Sequence, residues 1–320
     1  MEIYQNILNE IEKAEKILLI SHINPDGDTL GSMCAMKLFI GDKADMLVQT
    51  RADGDIPQIY KFLPLIDSAK TLRNVQNIYD LVITLDVAAI DRMVLMGRKI
   101  FESAKTTINI DHHETNPKYA TINHVCANAS SCGEILYDFF KGIDFELTKE
   151  IADSLFVSVM TDTGGFRYDN TSAKTFEIAG DLIRYGANPA LLAQKVYDSK
   201  DKNMVLFQAY CVNNAIFEEQ NKIAIVKITH EDMHKFSARH EYTEGIAELL
   251  RGINGVEVSV VMKENDNDSI KVSLRSKNVD LTKVTEKFKG GGHQKSAGCN
   301  IYAKMDIAYK QLLEAIKQEL

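Results

Sequence analysis

The chain has 320 residues, 45% apolar and 26% charged, a composition that excludes an extended disordered protein and is typical of a folded one. This length favours two domains, because a single core rarely extends over so many residues. The formal net charge of −8 excludes a broad basic surface for long nucleic acid, but it allows a small anionic substrate in a local pocket.

The first residues of the sequence are not expected to be a signal peptide. The segment MEIYQNILNEIEKAEKILLIS has neither the basic start nor the long apolar run of a signal peptide. No apolar stretch approaches the length of a membrane span, so no membrane partner is expected. The five cysteines are scattered and form no CxxC pair, which favours a reducing compartment. We therefore expect a cytoplasmic protein.

Short apolar runs alternate with helical patterns in the first half of the chain. The runs are KILLIS (16–21), ADMLVQ (44–49), YDLVITLD (79–86) and TTINID (106–111). This alternation predicts an N-terminal α/β domain with a mainly parallel sheet flanked by helices. Polar residues follow three runs directly, which places Ser21, Asp86 and Asp111 at carboxyl ends of strands. Open α/β sheets bind their ligands there.

The middle of the chain is predicted to be helical. TKEIADSLFVSVM (148–160) has the spacing of a buried helix, and the following TDTGG places Asp162 at or near the end of that helix. Residues 172–216 have the pattern of consecutive helices. The predicted organisation is a catalytic domain over 1–190, a helical linker over 191–216 and a further domain over 217–320.

The last third of the chain again mixes strand and helix patterns. Strands are expected at KIAIVKIT (222–229), VEVSVVMK (256–263) and IKVSLRS (270–276), followed by a helix near 279–288, the glycine-rich segment GGGHQKSAG (290–298) and a final helix. These elements predict a smaller C-terminal α/β domain.

The strongest chemical signal is HINPDGD at 22–28. His22, Asp26 and Asp28 lie in a Pro-Gly loop directly after a strand, so their side chains can converge on a cation. The alternative is an ordinary turn, because Pro-Asp-Gly-Asp is common in turns.

Three further polar clusters stand at predicted element ends. The structural alternative for Asp86 is a helix cap. For the Asp111-His112-His113 cluster the alternative is a solvated loop, and for Asp162 it is an ordinary helix end. Their coincidence with the first motif on one edge of a sheet favours a shared site.

The residue types of this set suit two divalent cations that share one carboxylate. Carboxylates and imidazoles without a thiolate favour Mn²⁺, with Mg²⁺ and Co²⁺ as alternatives. A pair of such cations serves the hydrolysis of phosphate esters.

These motifs resemble the DHH phosphoesterase superfamily, named for the Asp-His-His seen at 111–113. HINPDGDTLGS, LDVA, IDHH and VSVMTDTGGF are similar to its four motifs in order, and SLRS with GGGHQKSAG resembles the signature of its associated C-terminal domain. The resemblance extends over nearly the whole chain.

The resemblance implies a role for each motif residue. One metal would be held by His22, Asp26 and Asp86, and the other by Asp28, Asp86, His112 and Asp162. His113 would face the scissile phosphate, and Asp111 would orient the histidines.

Within the superfamily, the chain resembles the branch of nanoRNases that are also 3′-phosphoadenosine-5′-phosphate (pAp) phosphatases. In that branch Arg275 and His293 match residues that bind the phosphate and nucleotide of the substrate. The backbone N–H groups of Gly290, Gly291 and Gly292 could add an anion-binding nest. Arg167, after the fourth motif, is a further phosphate-binding candidate.

The resulting prediction is metal-dependent hydrolysis of short oligoribonucleotides and pAp. The alternative within the same chemistry is hydrolysis of pApA-type linear dinucleotides. Pyrophosphate hydrolysis and processive exonuclease action are less favoured, and a binding module without catalysis would lack ligands that are all present here. The expected partner is a small nucleotide or very short RNA. The sequence does not decide between a monomer and a homodimer.

A rival from another class is a zinc metalloprotease, because HEDMHKFSARH (230–240) fits H-E-x-x-H. His230 and His234 would have to lie one turn apart on a helix, with His240 as third ligand. The strand pattern runs directly into His230, and Ser237 stands where that protease class has glycine. We therefore expect a chance match on a short exposed helix.

Overall fold

The computed structural model describes residues 2–49, 56–76, 78–265 and 267–320. It divides into two compact units, Met1–Ser199 and Lys200–Leu320. The chain passes from the first unit to the second within the segment 191–216, the predicted linker.

The first unit is built on a five-stranded sheet in which every neighbouring pair is parallel. In the spatial order β2-β1-β3-β4-β5, its strands are β1 Ile17–Ile23, β2 Ala44–Gln49, β3 Leu81–Leu85, β4 Thr106–Asp111 and β5 Ile122–Val125. Alternate residues of β1 bury themselves in two apolar clusters, Ile17 and Leu19 in one and Leu18 and Ile20 in the other. Both faces of the sheet are therefore covered, as parallel sheets require. The predicted parallel sheet flanked by helices is confirmed.

Seven helices surround this sheet in the described part of the first unit. They are α1 Glu2–Lys13, α2 Gly27–Ile40, α3 Leu95–Ser103, α4 Cys132–Gly142, α5 Lys149–Asp162, α6 Ala173–Arg184 and α7 Pro189–Tyr197. Helices α2 and α5 pack so closely that an added Cβ at Gly31 would clash with the backbone oxygen of Ser154. This contact fixes the two helices that carry Asp28 and Asp162.

The carboxyl ends of neighbouring strands bring the polar motifs to one edge of the sheet. Strand β1 leads into the loop before α2, β3 is followed at once by Asp86, and β4 ends on Asp111. The backbone of Asp86 has φ 59°, a left-handed conformation that is costly for a residue with a side chain. Its N–H donates to the carbonyl of Ile110, which ties the turn to β4.

The second unit is built on a six-stranded mixed sheet of order β10-β11-β9-β8-β7-β6. Its strands are β6 Ile216–Glu218, β7 Ile223–Ile228, β8 Val258–Glu264, β9 Ile270–Ser276, β10 Gly291–His293 and β11 Ser296–Ile301. Its helices are α8 Lys202–Asn213, α9 His230–Lys235, α10 Ile246–Arg251, α11 Leu281–Glu286 and α12 Met305–Lys317. One face packs on α12 and the other, around β7, on α8 and α10. The smaller C-terminal α/β domain is confirmed.

The glycine-rich segment 290–298 contains two paired strands. Gly291 pairs with Gly298 and His293 with Ser296, so the segment forms an antiparallel hairpin of β10 and β11. The N–H of Gly290 donates to the carbonyl of Thr285 at 2.9 Å. An anion-binding nest of three successive N–H groups is therefore not what these residues form.

A helix that crosses a membrane must be both long and apolar. None of the helices in the described residues combines the length and the apolar content that a membrane crossing requires.

Candidate metal centre

His22 lies buried at the end of β1 and turns one ring nitrogen toward carboxylates. Its Nδ1 is 2.9 Å from the carbonyl of Ile23, an acceptor, so Nδ1 carries a proton and donates it. Its Nε2 lies 3.5 Å from Asp86 Oδ2 and 3.8 Å from Asp26 Oδ2. Asp26 caps helix α2, where its Oδ1 accepts from the N–H of Thr29. The end of β1 and the loop after it thus leave His22 Nε2 and Asp26 Oδ2 available to a cation.

Asp28 is fully buried in the first turn of α2 and is held by the beginning of α4. Its carboxylate accepts hydrogen bonds from the N–H groups of Cys132, at 2.8 Å, and Gly133, at 3.2 Å, and from the hydroxyl of Ser158. Unsatisfied N–H groups at a helix N-terminus stabilise an anion. The protein therefore fixes Asp28 before any ligand arrives.

Asp86 stands in the middle of the cluster with one oxygen unsatisfied. Its Oδ2 accepts from the hydroxyl of Thr29 at 2.6 Å, whereas its buried Oδ1 has no hydrogen-bond partner. The Nε2 atom of His112 lies 3.5 Å from this Oδ1. A buried carboxylate oxygen without a partner costs free energy, and a cation would offset that cost. The geometry of Asp86 therefore fits a metal.

His112 faces three carboxylates. Its Nε2 lies 3.5 Å from Asp86, 3.6 Å from Asp162 and 3.7 Å from Asp28. Asp162 is the last residue of α5, as the sequence predicts, and its Oδ2 accepts from the side-chain amide of Asn170.

Three groups of side chains in the described residues could hold a metal ion. They are His22 with Asp26 and Asp86, Asp28 with His112 and Asp162, and Asp86 with His112 and His113. Within each group the ligand atoms lie within 4.8 Å of one another. Oxygen and imidazole donors without a thiolate suit divalent cations of the Mn²⁺ and Mg²⁺ type.

His113 is placed differently from its neighbour. Its Nδ1 lies 2.8 Å from Asp111 Oδ1 and donates to it. That nitrogen is therefore engaged, which argues against the third group as a separate metal site. The side chain of His113 is 22% exposed, so the rest of its ring is reachable from solvent.

The charges of the metal-free cluster shift several pKa values. Burial opposes protonation of His22, but Asp26 and Asp86 outweigh it and raise the pKa of His22 to about 10. Burial and the charge of Asp86 raise the pKa of Asp28 to about 7. Burial also raises the pKa of Asp162 well above its usual range. Without a cation, the excess of carboxylates therefore retains protons that a metal would replace.

Asn116 is a residue of the site that the sequence analysis did not single out. Its Nδ2 donates to Asp111 Oδ2 at 2.6 Å and to Asn109 Oδ1 at 2.7 Å. Asn109 in turn donates to the hydroxyl of Tyr119. The only signal in the sequence is an asparagine in the same short loop as the two histidines, which is equally typical of a turn.

The expected phosphate-binding arginine of the first unit lies just after α5. Arg167 Nε donates to the carbonyl of Gly164 at 2.6 Å, which orients the guanidinium. Arg167 also lines an apolar cavity of about 490 Å³ together with Phe166 and Tyr197.

The other expected substrate residues belong to the second unit. Arg275, on β9, donates from Nε to Glu248 Oε1 at 2.6 Å and from Nη1 to the carbonyl of Leu274. His293 lies exposed on β10 together with Gly291 and Gly292. Both Arg275 and His293 pair with Ser296, from opposite sides of β11.

The protease-like motif does not form a zinc site among the residues that the structure describes. Helix α9 begins at His230, capped by Thr229, and ends at Lys235. Lys263 Nζ lies 2.6 Å from His240 Nδ1. None of the candidate metal groups found in these residues contains His230, His234 or His240.

Comparison with protein families matches both parts of the chain. Residues 16–159 match the DHH family, N-terminal domain, and residues 220–320 match the DHHA1 domain. The first match contains the motifs of His22, Asp86 and Asp111.

Two curated relatives are similar to the chain over nearly their full length. The chain is 28% identical to the probable bifunctional oligoribonuclease and PAP phosphatase NrnA of Streptococcus mutans, over 99% of this chain and 100% of that protein. It is also 28% identical to the bifunctional oligoribonuclease and PAP phosphatase NrnA of Bacillus subtilis, over 93% of each chain.

Solved structures share the fold. An exopolyphosphatase-related protein from Bacteroides fragilis superimposes with a TM-score of 0.91 at 24% identity, covering 99% of this chain and 96% of that one. RecJ of Thermus thermophilus in complex with Mn²⁺ gives a TM-score of 0.58 at 12% identity, covering 99% of this chain and 54% of RecJ. By the family comparison, the chain contains a DHH family N-terminal domain over residues 16–159 and a DHHA1 domain over residues 220–320.

Proposed function

We propose that this protein hydrolyses phosphoester bonds in small nucleotides, namely short oligoribonucleotides and pAp. The observation that carries the proposal is Asp86, a buried carboxylate between two groups of metal-binding side chains with one oxygen left without a hydrogen-bond partner. The NrnA relatives are named as oligoribonucleases and PAP phosphatases, and the proposed substrate class follows from their activities.

The proposed cofactors are two divalent cations, with Mn²⁺ as the expected ion. His22, Asp26 and Asp86 would hold one, and Asp28, Asp86, His112 and Asp162 would hold the other. When bound, such cations polarise phosphoryl oxygens and make a water molecule more acidic.

His113 is the proposed proton donor to the leaving oxygen. Because its Nδ1 donates to Asp111, its Nε2 is the atom that exchanges a proton with the substrate. Asp111 fixes the ring orientation, and Asn116 fixes Asp111. The partial exposure of His113 lets a substrate oxygen reach it.

The proposed substrate-binding residues carry local positive charge in an acidic chain. Arg167 in the first unit and Arg275 in the second can each bind phosphate oxygens through guanidinium N–H groups. His293 is the proposed contact to the nucleotide, and Gly290, Gly291 and Gly292 carry it on their hairpin. The cytoplasm is the proposed location, because all five cysteines are free thiols.

The test is turnover by the purified protein with and without Mn²⁺. The substrates are pAp, pApA, a five-nucleotide RNA, a 24-nucleotide RNA and pyrophosphate, which separate the proposed activity from its alternatives. Wild type is expected to hydrolyse pAp and the short RNA, and Asp86→Ala to lose that activity. Asp91→Ala, at an exposed aspartate five residues further along, is the matched control and is expected to retain it. Activity that survives in Asp86→Ala would overturn the two-metal proposal.

A further inference from the structure

Strands β9, β10 and β11 of the second unit present polar side chains on one face and apolar side chains on the other. Along β9, Val272 and Leu274 are buried in the core under α12, whereas Lys271, Ser273 and Arg275 are half-buried and point the opposite way. Side chains alternate in this way along every strand.

The pairing register gathers the polar side chains into rows. His293, Ser296 and Arg275 are directly paired across β10, β11 and β9, and Asn300 is paired with Lys271. Directly paired residues project from the same face of a sheet. We call the surface formed by these five residues and Ser273 the basic sheet face.

The basic sheet face is positive in a chain that is negative overall. The three strands have the sequences IKVSLRS, GGH and SAGCNI, without a carboxylate, although acidic residues outnumber basic ones by 45 to 37 in the chain. Glu248 of α10 reaches Arg275 and orients it. Lys271 lies on β9, an interior strand, so protection of an exposed sheet edge does not account for its charge.

Gly291 adds a second, independent observation at the same face. A Cβ at Gly290 or Gly292 would clash with β11, so the hairpin itself requires those two glycines. A Cβ at Gly291 would meet nothing within 4 Å, so the fold does not require glycine there. A glycine in such a position lets a ligand approach the backbone closely.

We infer that Lys271 and Asn300 form a second phosphate subsite for the sugar–phosphate backbone of a short single-stranded RNA. Lys271 lies four residues from Arg275 on the same face, a distance of about 13 Å along the strand. Neighbouring phosphates are closer than this, about 3.4 Å apart along the axis of a duplex strand. The subsite therefore serves substrates of several nucleotides and is out of reach of pAp bound at Arg275. This inference rests on the proposed function.

The experiment compares KM and kcat for a five-nucleotide RNA and for pAp, using the Mn²⁺-loaded protein. Lys271→Ala is expected to raise KM for the RNA about fivefold and to leave both constants for pAp unchanged, because one phosphate contact is lost. Lys271→Arg keeps the charge and is expected to restore KM. Lys310→Ala, which removes an exposed lysine of the same unit from α12, is the matched control and is expected to behave as wild type.

The salt dependence of RNA binding provides a second readout. A fluorescent five-nucleotide RNA is titrated by anisotropy in a His113→Ala background, so that hydrolysis does not compete. Lys271→Ala is expected to reduce the slope of log Kd against log salt concentration by about 0.7, the effect of one phosphate contact on a single strand.

Two results separate the failure of this inference from the failure of the proposed function. If wild type hydrolyses both substrates but Lys271→Ala matches Lys310→Ala in KM and in salt slope, the second subsite is wrong and the proposed function stands. If wild type hydrolyses neither substrate, the proposed function itself fails. The subsite would also be refuted if Lys271→Ala and Lys271→Arg lost the same thermal stability and bound the RNA with equal affinity.

Discussion

Asn116 donates a hydrogen bond of 2.6 Å to Asp111, on the carboxylate oxygen opposite the one that binds His113. The three side chains thus form a chain that leads from the partly exposed imidazole into the interior of the first unit. Asp111 is fully buried, so its orientation depends on these two partners. We therefore propose that Asn116 positions His113 through Asp111.

Replacement of Asn116 should therefore reduce turnover more than substrate binding. Asn116→Asp places a second carboxylate against Asp111, and we expect kcat to fall about 10-fold to 100-fold with KM and bound metal unchanged. In a His113→Ala background the same substitution should have no further effect, because Asn116 acts through His113.

Asn123→Ala is the matched control for this prediction. Asn123 stabilises the same connection between β4 and β5 through Ala120. Additive losses in the double variant, or an equal loss of kcat in Asn123→Ala, would contradict the positioning role.

Ser158 should influence metal affinity through Asp28. Its hydroxyl donates to the Asp28 carboxylate from α5. We expect Ser158→Ala to weaken metal binding about 10-fold to 100-fold, as measured by calorimetric titration of metal-free protein with Mn²⁺. Ser154→Ala also removes a buried hydroxyl from α5, but that hydroxyl donates to the backbone of Glu150 and should leave the affinity unchanged. Equal affinities in the two variants would show that Asp28 needs no such support.

The metal-free protein should lose stability as the pH rises. The folded state holds the proton of His22 with a pKa of about 10, compared with an ordinary value of 6.5. The contribution of His22 is therefore complete below about pH 6.5 and is lost as the pH rises toward 10. Asp28, whose pKa is raised from 3.8 to about 7, acts in the same direction at lower pH.

Thermal unfolding of EDTA-treated protein between pH 5 and 10 measures this dependence. Tm is expected to fall across the range. His22→Ala should make the fall above about pH 6.5 less steep, and His112, whose pKa is also raised well above 6.5 by the neighbouring carboxylates, should account for the fall that is left. His230→Ala, which changes an exposed histidine of the second unit, should keep the wild-type profile. A wild-type Tm that rises with pH would contradict the prediction.

The sequence predicts which polar residues lie at the edge of the sheet better than it predicts the hydrogen bonds that hold them there. Asp86 and Asp111 follow apolar runs directly, so their placement at strand ends depends only on local pattern. By contrast, Asp28 is held by the N–H of Cys132, more than a hundred residues away, and no local pattern encodes that contact. Asn116 is missed for a different reason, because its loop sequence is equally suited to an ordinary turn.

The C-terminal hairpin shows the same limit. Glycine has weak strand propensity, so Gly290 to Gly292 predict a loop. The structure instead pairs Gly291 and Gly292 with β11, because tertiary pairing outweighs local preference. The short strand β5 was missed as well, and its four residues are too few to show an alternating pattern.

The close packing of α2 against α5 should be sensitive to a single methyl group. Gly31→Ala would drive a Cβ into the backbone oxygen of Ser154 and against Ser158. We expect the free energy of unfolding to fall by about 1–3 kcal/mol, and Mn²⁺ affinity to fall as well, because the two helices carry Asp28 and Asp162. Denaturant titration and calorimetry measure the two effects.

Gly180→Ala, in the middle of α6, is the matched control, because an added Cβ there meets nothing within 4 Å. It should stabilise the protein by about 0.4–1 kcal/mol, since alanine restricts the unfolded chain more than glycine does. The two substitutions make the same chemical change in helices of one unit, so opposite signs isolate the effect of the helix contact. If Gly31→Ala stabilised the protein as Gly180→Ala does, α2 and α5 would accommodate an extra methyl group between them. The fixed spacing of Asp28 and Asp162 would then need another explanation.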